Sequence, residues 1–440
     1  MTRTKPTKES LAEIRPLHGG GQLAIEVMPG MESFTLGFFF RVGAADEDRS
    51  LSGISHFIEH MVFKGSGRRS AKQIVRAVER VGGLINASTG REVTYYYIRV
   101  GSSRLELALD ILTDLVFNPV FDPSAMEREK GVVLEEMRMN EDDPDQALFD
   151  RFLMAIHGNT SYGRPILGNE ATIKSFSPKI VRQFHAKRCS PSRLMASIAG
   201  GIDPDKVQNL LEKRLKRFPS GSTAPIHRSK PPGFRSRVLA HTKDFEQSAL
   251  IVGFPSAGIL SPERYAYSIL DAISAGGMMS RLFQEVREKR GLVYSIDSTH
   301  QPYTSSGIFT IDAGMNEKNI LKVLQLIIKE FMELSETGPG PRELADAKLY
   351  LLGHWALGLE STSSRMIRNA MSTIFFDRLL PHEEVVDSLN AVTRNDVRKA
   401  SARFFENGAP SVGVLSRFEN DSKALEVEDK IRAIVDNPTG

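Results

Sequence analysis

His56-Phe57-Ile58-Glu59-His60, followed directly by Met61-Val62-Phe63-Lys64-Gly65, is the stretch on which the reading of this chain turns. If it is helical, His56 and His60 lie about 40° apart around the axis, so both imidazoles leave one face and can clamp a metal ion. Glu59 lies about 60° from His56 on the other side. It can reach a water activated by that metal without joining the ligands, which suits a general base. His-x-x-Glu-His is the inverted form of the His-Glu-x-x-His zinc motif. Five residues alone leave a second reading open, a helix whose two histidines are solvated or held by core hydrogen bonds.

A catalytic zinc site commonly has three protein ligands and an open position, so a third ligand must come from elsewhere. Residues 123–140, PSAMEREKGVVLEEMRMN, open on Asp122-Pro123 and read as a helix. Glu129, Val132, Val133 and Glu136 follow the i, i+3, i+4, i+7 pattern, which predicts one apolar face that also holds two carboxylates. A buried carboxylate needs a partner, and a metal ion provides one. Glu135 points about 120° away from Glu129 and toward solvent. The helix-face argument therefore selects Glu136 as the ligand and Glu129 as a residue that supports a ligand.

These residues, with GGLINASTGREVTYYYIRV at 82–100 between them, resemble the pitrilysin and mitochondrial-processing-peptidase family of zinc peptidases. Glu136 falls 76 residues after His60, as the family's third ligand does, and the resemblance runs from about Gly20 to Phe405. It implies one Zn2+ per chain held by His56, His60 and Glu136, with Glu59 activating water and Glu129 supporting the site. It also implies that the strand at Asn86 and Ala87 pairs with an extended peptide through main-chain hydrogen bonds. In SRLFQEVREKRGLVYSI at 280–296, Arg287 and Tyr294 are by composition an ordinary surface and packing pair. The resemblance assigns them to stabilising the tetrahedral oxyanion or gripping the substrate backbone. Gly276-Gly277 is similar to the family's glycine-bearing segment and is no phosphate loop, because GxxxxGK[ST] is absent.

The 440 residues exceed one ordinary core and predict two or more domains. With 41% apolar and 25% charged residues the composition is globular, and a net charge of +3 gives no reason to expect nucleic acid or an anionic membrane as partner. The one cysteine, Cys189, excludes an intrachain disulfide framework, fits a reducing compartment and reads as a packing residue. The opening MTRTKPTKESLAEIRP has no apolar region behind its basic residues, and Glu9 and Glu13 break a transit-peptide pattern. No apolar run of about 18 residues occurs. The expectation is a soluble, cytoplasmic protein.

Residues 22–28 and 33–42 read as strands, SAKQIVRAVERV as a helix, LINAST and VTYYYIRV as strands, and LELALDILTDLV, SPKIVRQFHAKR and LMASIAG as helix, helix and strand. The acidic run Glu141 to Asp145 reads as a solvated loop that could favour basic substrates. Residues 219–236 concentrate Pro, Gly and Ser like a linker, and beyond them the pattern restarts. ALIVGFPSAG mirrors TLGFFFRVGA, ERYAYSILDAIS mirrors the motif helix without its histidines, GLVYSIDS and SGIFTIDAGM mirror the strand pair, and LKVLQLIIKEFMEL mirrors LELALDILTDLV.

The fold class expected is α+β, two homologous α/β-sandwich halves with largely antiparallel sheets facing each other as a clamshell. The expected boundaries are 1–225 for a catalytic, metal-binding domain, 226–235 for the linker and 236–440 for a homologous domain without the motif. Each half is long enough to fold by itself. The function expected is a zinc metalloendopeptidase acting on extended peptides, as a homodimer or as a heterodimer with a related subunit. The alternatives are a subunit that cleaves only with a hetero-partner and a non-catalytic peptide-binding or assembly homologue.

Overall fold

In the computed structural model, which describes residues 12–222, 231, 233–406 and 408–437, the apolar run after Ser33 forms a strand buried from Phe34 to Phe40. Residues 1–11 and most of the expected linker lie outside the described residues. In chain order the first half contains β1 (Ala12–Pro16), β2 (Gln22–Val27), β3 (Ser33–Phe40), α1 (Ile54–Val62), α2 (Ala71–Glu79), β4 (Leu84–Thr89), β5 (Thr94–Gly101), α3 (Leu105–Phe117) and α4 (Pro123–Asp142). It continues with α5 (Pro144–His157), α6 (Glu170–Ser175), α7 (Pro178–Arg188), β6 (Met195–Gly200) and α8 (Pro204–Leu215). The second half contains β7 (Val238–Thr242), β8 (Ser248–Ser256), α9 (Arg264–Ser274), β9 (Val293–Pro302), β10 (Gly307–Met315), α10 (Ile320–Thr337) and α11 (Pro341–Gly358). α12 (Thr362–Phe376), α13 (His382–Ala391), α14 (Arg394–Glu406), β11 (Ser411–Ser416) and α15 (Asp421–Asp436) complete it.

The first sheet has the order β1-β2-β6-β3-β5-β4, the second β7-β11-β8-β10-β9. Without β1 the two match strand for strand: β2 with β6 and β7 with β11 are parallel, and the remaining neighbours are antiparallel. The repeated topology is the structural form of the repeated sequence pattern, and the fold is α+β.

β3 is a continuous apolar run because both its faces are covered. Phe38 and Phe40 pack on Phe117 of α3, with ring centroids 5.9 and 6.1 Å apart. On the opposite face Thr35 bonds Thr362 at 2.8 Å, and Phe39 packs in one cluster with Met366 and Ala370 of α12. Gly37 makes this approach possible, since a Cβ there would stand 2.4 Å from Met366 Sδ. β8 repeats the device: a Cβ on Gly253 would stand 2.3 Å from the Phe152 ring of α5, while Phe254 stacks on Phe404 of α14 at 4.3 Å.

The exchanged helices correct the expected boundaries. One compact unit comprises Met1–Glu135, Pro165–Ser229 and Ala356–Leu380, the other Glu136–Arg164, Lys230–Trp355 and Pro381–Gly440. α12 thus belongs with the first sheet and α5 with the second, although each lies on the other side of the linker in sequence. The reason is burial. Glu26 of β2, fully buried, is held by Arg365, by Arg368 at 3.1 Å and by Asn369 Nδ2 at 2.6 Å, all on α12. The expectation that residues 1–225 contain a complete core is therefore wrong.

The acidic run at 141–145 is also not a loop. Glu141 and Asp142 end α4, and Asp143 caps α5 by accepting from the amides of Asp145 and Gln146. Glu141 pairs with Arg151 and, at 3.0 Å, with Lys243. No helix of the described residues is long and apolar enough to cross a membrane.

Candidate metal centre

The motif is helical, as its spacing predicts. α1 begins after Gly53, whose φ of +90° and 2.4 Å Cβ approach to the Leu167 carbonyl oxygen leave room only for glycine. The Glu47 carboxylate caps this end, accepting from the amides of Gly53 at 2.7 Å and Ser55 at 2.8 Å. It satisfies orphan donors and lies at the favourable end of the helix dipole. Phe57, Ile58 and Met61 anchor α1 in the core, leaving His56 and His60 on one face with ring centroids 4.6 Å apart.

α4 supplies the rest. Its buried residues are Ala125, Met126, Glu129, Lys130 and Val133. Val132 is 49% exposed, so the apolar face expected through Val132 is rotated toward Lys130. Glu129 and Val133 remain on the buried stripe, Glu136 is half-buried one turn further, and Glu135 is exposed. The division between the compact units falls inside α4, and its unbroken helix carries Glu136 just past that point.

One nitrogen from each of His56 and His60 and one carboxylate oxygen from Glu136 all lie within 4.8 Å of one another. Two imidazoles and a carboxylate are a donor set that suits zinc, and the spacing lets one ion reach all three. Burial and the neighbouring His60 push the His56 imidazole down to about 4, so it is neutral at pH 7, the form that offers a lone pair. His60 Nδ1 stands 2.9 Å from Glu129 Oε1, which directs its other ring nitrogen away from Glu129. Burial raises the Glu129 carboxyl, but hydrogen bonds from His60 and Lys64 outweigh it and hold the group below its ordinary range.

Glu59 stands outside this triplet. Its carboxylate accepts a hydrogen bond from the Thr89 hydroxyl at the end of β4, against which α1 packs. Asn86 and Ala87 lie in β4, the edge strand of the first sheet, opposite Tyr97 and Tyr96 of β5. Arg287 and Tyr294 belong to the second unit. Arg287 is exposed on a π-helical turn at Phe283–Glu288 with its guanidinium 4.8 Å from the Phe283 ring centroid, and Tyr294, 72% exposed, is on the edge strand β9. The sequence reading missed Glu47, Lys64 and Thr89. Lys64 lies in the turn that follows α1, four residues after His60.

Comparison with known proteins gives the family. Residues 23–170 match the family described as insulinase (peptidase family M16), and residues 175–351 match the peptidase M16 inactive domain. An uncharacterized zinc protease of Bacillus subtilis is 34% identical over 387 residues, covering 88% of this chain and 94% of that protein. The chain belongs to peptidase family M16. An uncharacterized zinc protease of Streptomyces coelicolor is also 34% identical, covering 94% of this chain and 91% of its own length. Among solved structures, a protease from Helicobacter pylori superposes with a TM-score of 0.86 at 21% identity, over 92% of this chain and 99% of that one. A peptidase M16 inactive domain from Pseudomonas fluorescens gives 0.86 at 20% identity, over 92% and 97%. At these identities the two structures establish the shared fold.

Proposed function

We propose that this chain is a zinc-dependent endopeptidase that hydrolyses extended or unfolded peptides. The observation that carries the reading is the convergence of His56, His60 and Glu136 within 4.8 Å, with Glu59 on the same helix but outside the triplet. Zinc held by these three side chains supplies a Lewis acid for the scissile carbonyl and lowers the pKa of water toward about 7. Glu59 takes the proton from the attacking water and returns it to the leaving amine. Glu129 keeps the His60 ring in the orientation and tautomer that a ligand needs.

The peptide pairs with the outer edge of β4 at Asn86 and Ala87. The Ala87 amide, which donates to Asn86 Oδ1 at 2.8 Å, makes a local bond that a substrate carbonyl can replace. Edge pairing reads backbone rather than side chains, so sequence tolerance is broad and folded proteins are poor substrates. Arg287 and Tyr294 enter by family resemblance, as donors to the oxyanion or the substrate backbone. A single cysteine supports a reducing, cytoplasmic setting.

The test is metal content together with turnover of an unstructured peptide. The wild-type protein carries one zinc and cleaves. Glu59→Gln keeps the zinc and loses about 10²- to 10⁴-fold in kcat, the usual share of a general base. A wild-type protein with neither zinc nor turnover, or a Glu59 variant that sheds the metal, would overturn the assignment.

A further inference from the structure

Thr89 is the last residue of β4, and its hydroxyl donates to Glu59 Oε2. The register sets Ala87 opposite Tyr96 and Thr89 opposite Thr94. Alternation along the strand puts Ala87 and Thr89 on one face, and the bond to Glu59 identifies it as the face toward α1. The strand that offers its edge to a peptide therefore ends in a side chain that grips the motif glutamate. A free glutamate side chain samples many rotamers, and restricting it costs conformational entropy. A hydroxyl bound to one carboxylate oxygen makes that restriction part of the fold.

We infer that Thr89 is a positioning residue that couples peptide docking on β4 to the orientation of Glu59; this rests on the peptidase reading above. With Oε2 bonded to Thr89, the Glu59 carboxylate is held in one orientation to receive the proton. In that step a water O–H bond breaks and the proton passes to the Glu59 carboxylate, the pair left on the water oxygen bonds to the scissile carbonyl carbon, and the carbonyl π pair moves onto the carbonyl oxygen. Thr89 keeps its own proton throughout. A peptide paired along β4 fixes the end of that strand, and with it the base.

The experiment uses the full-length, zinc-loaded protein as wild type, Thr89→Val, Thr89→Ala, Thr89→Ser, Glu59→Gln and the Thr89→Val/Glu59→Gln double variant, with an unstructured peptide as substrate. Thr89→Val and Thr89→Ala are expected to keep stoichiometric zinc, melting temperature and KM while kcat falls about 10- to 100-fold, the scale of a small misplacement of a catalytic group. Thr89→Ser, which restores the hydroxyl, recovers most of the rate. Once Glu59 is glutamine there is no base to position, so adding Thr89→Val costs nothing further. Two results overturn the inference: wild-type kcat in both hydroxyl-free variants, or an equal loss from Thr89→Val with and without Glu59. Loss of zinc or of folding in Val and Ala alike, with Ser no better, overturns it too by assigning Thr89 a purely structural role. A zinc-loaded wild-type protein that cleaves no peptide removes the peptidase reading itself, and that failure is visible before any variant is compared.

Discussion

His60 Nδ1 stands 2.9 Å from Glu129 Oε1, and the other oxygen of that carboxylate takes Lys64 Nζ at 2.7 Å. The nearly buried Glu129 thus has one partner on the motif helix and one in the turn that follows it and is an orienting group, whereas Glu136 two turns later joins the donor triplet. Glu129→Ala should weaken zinc about 10- to 100-fold, as loss of a partner that orients a ligand commonly does. Glu136→Gln should weaken it more, and Glu135→Gln should leave it unchanged. Chelator competition measures all three, and equal zinc loss in the Glu135 and Glu136 variants would refute the assignment of faces on α4.

Arg287 and Tyr294 carry no metal-ligand atoms of the triplet, so their removal separates substrate chemistry from metal binding. Arg287→Ala or Tyr294→Phe should leave zinc content intact and lower kcat/KM by about 10²-fold or more, comparable with one lost oxyanion donor. Wild-type kinetics in both would remove these two side chains from the mechanism.

The fragment ending at residue 225 should not fold cooperatively, contrary to what its length suggests. It lacks α12, and so leaves Phe39 uncovered by Met366 and Ala370, with Glu26 buried without Arg365, Arg368 and Asn369. Burial raises the Glu26 carboxyl, but Arg368, Asn369 and Arg365 together hold it below its ordinary range, so the charge depends on α12. In the intact chain Glu26→Ala should cost about 3–5 kcal/mol, since it strands two arginines. Denaturant unfolding followed by circular dichroism tests both statements, and a sharp transition in the fragment would contradict the first.

Asp312 of β10 sits directly across from Asp297 of β9. Burial, with Asp145 and Asp297 nearby, pushes Asp312 up to about 6 despite the Thr310 hydroxyl bonded at 2.9 Å. Asp271 is likewise pushed up to about 6, by burial and Asp297. A carboxyl raised in the folded state favours folding while it is protonated. That contribution is complete below the ordinary aspartate value near 3.8 and is lost as pH rises through about 6. Asp312→Asn should therefore raise the melting temperature at pH 8 more than at pH 4.5. An equal shift at both pH values would show that Asp312 does not titrate in this window.

The motif helix, the strand pair beside it and the duplication were legible in sequence because they depend on local rules. Histidines four apart share a helix face whatever surrounds them, and a period of two marks a half-buried strand. Glu136 could be chosen over Glu135 for the same reason, although the stripe was drawn through Val132 when the buried residue was Lys130. What only the tertiary structure decided is which surfaces meet. An apolar stripe on α5 or α12 shows that a face will be buried, not against which sheet, and Gly37 and Gly253 acquire meaning only once Met366 and Phe152 stand over them. Thr89 and Glu47 escaped detection for the same reason. A hydroxyl that grips a glutamate 30 residues away and a carboxylate that caps a helix six residues on are ordinary polar residues until folding brings the partner within hydrogen-bond reach.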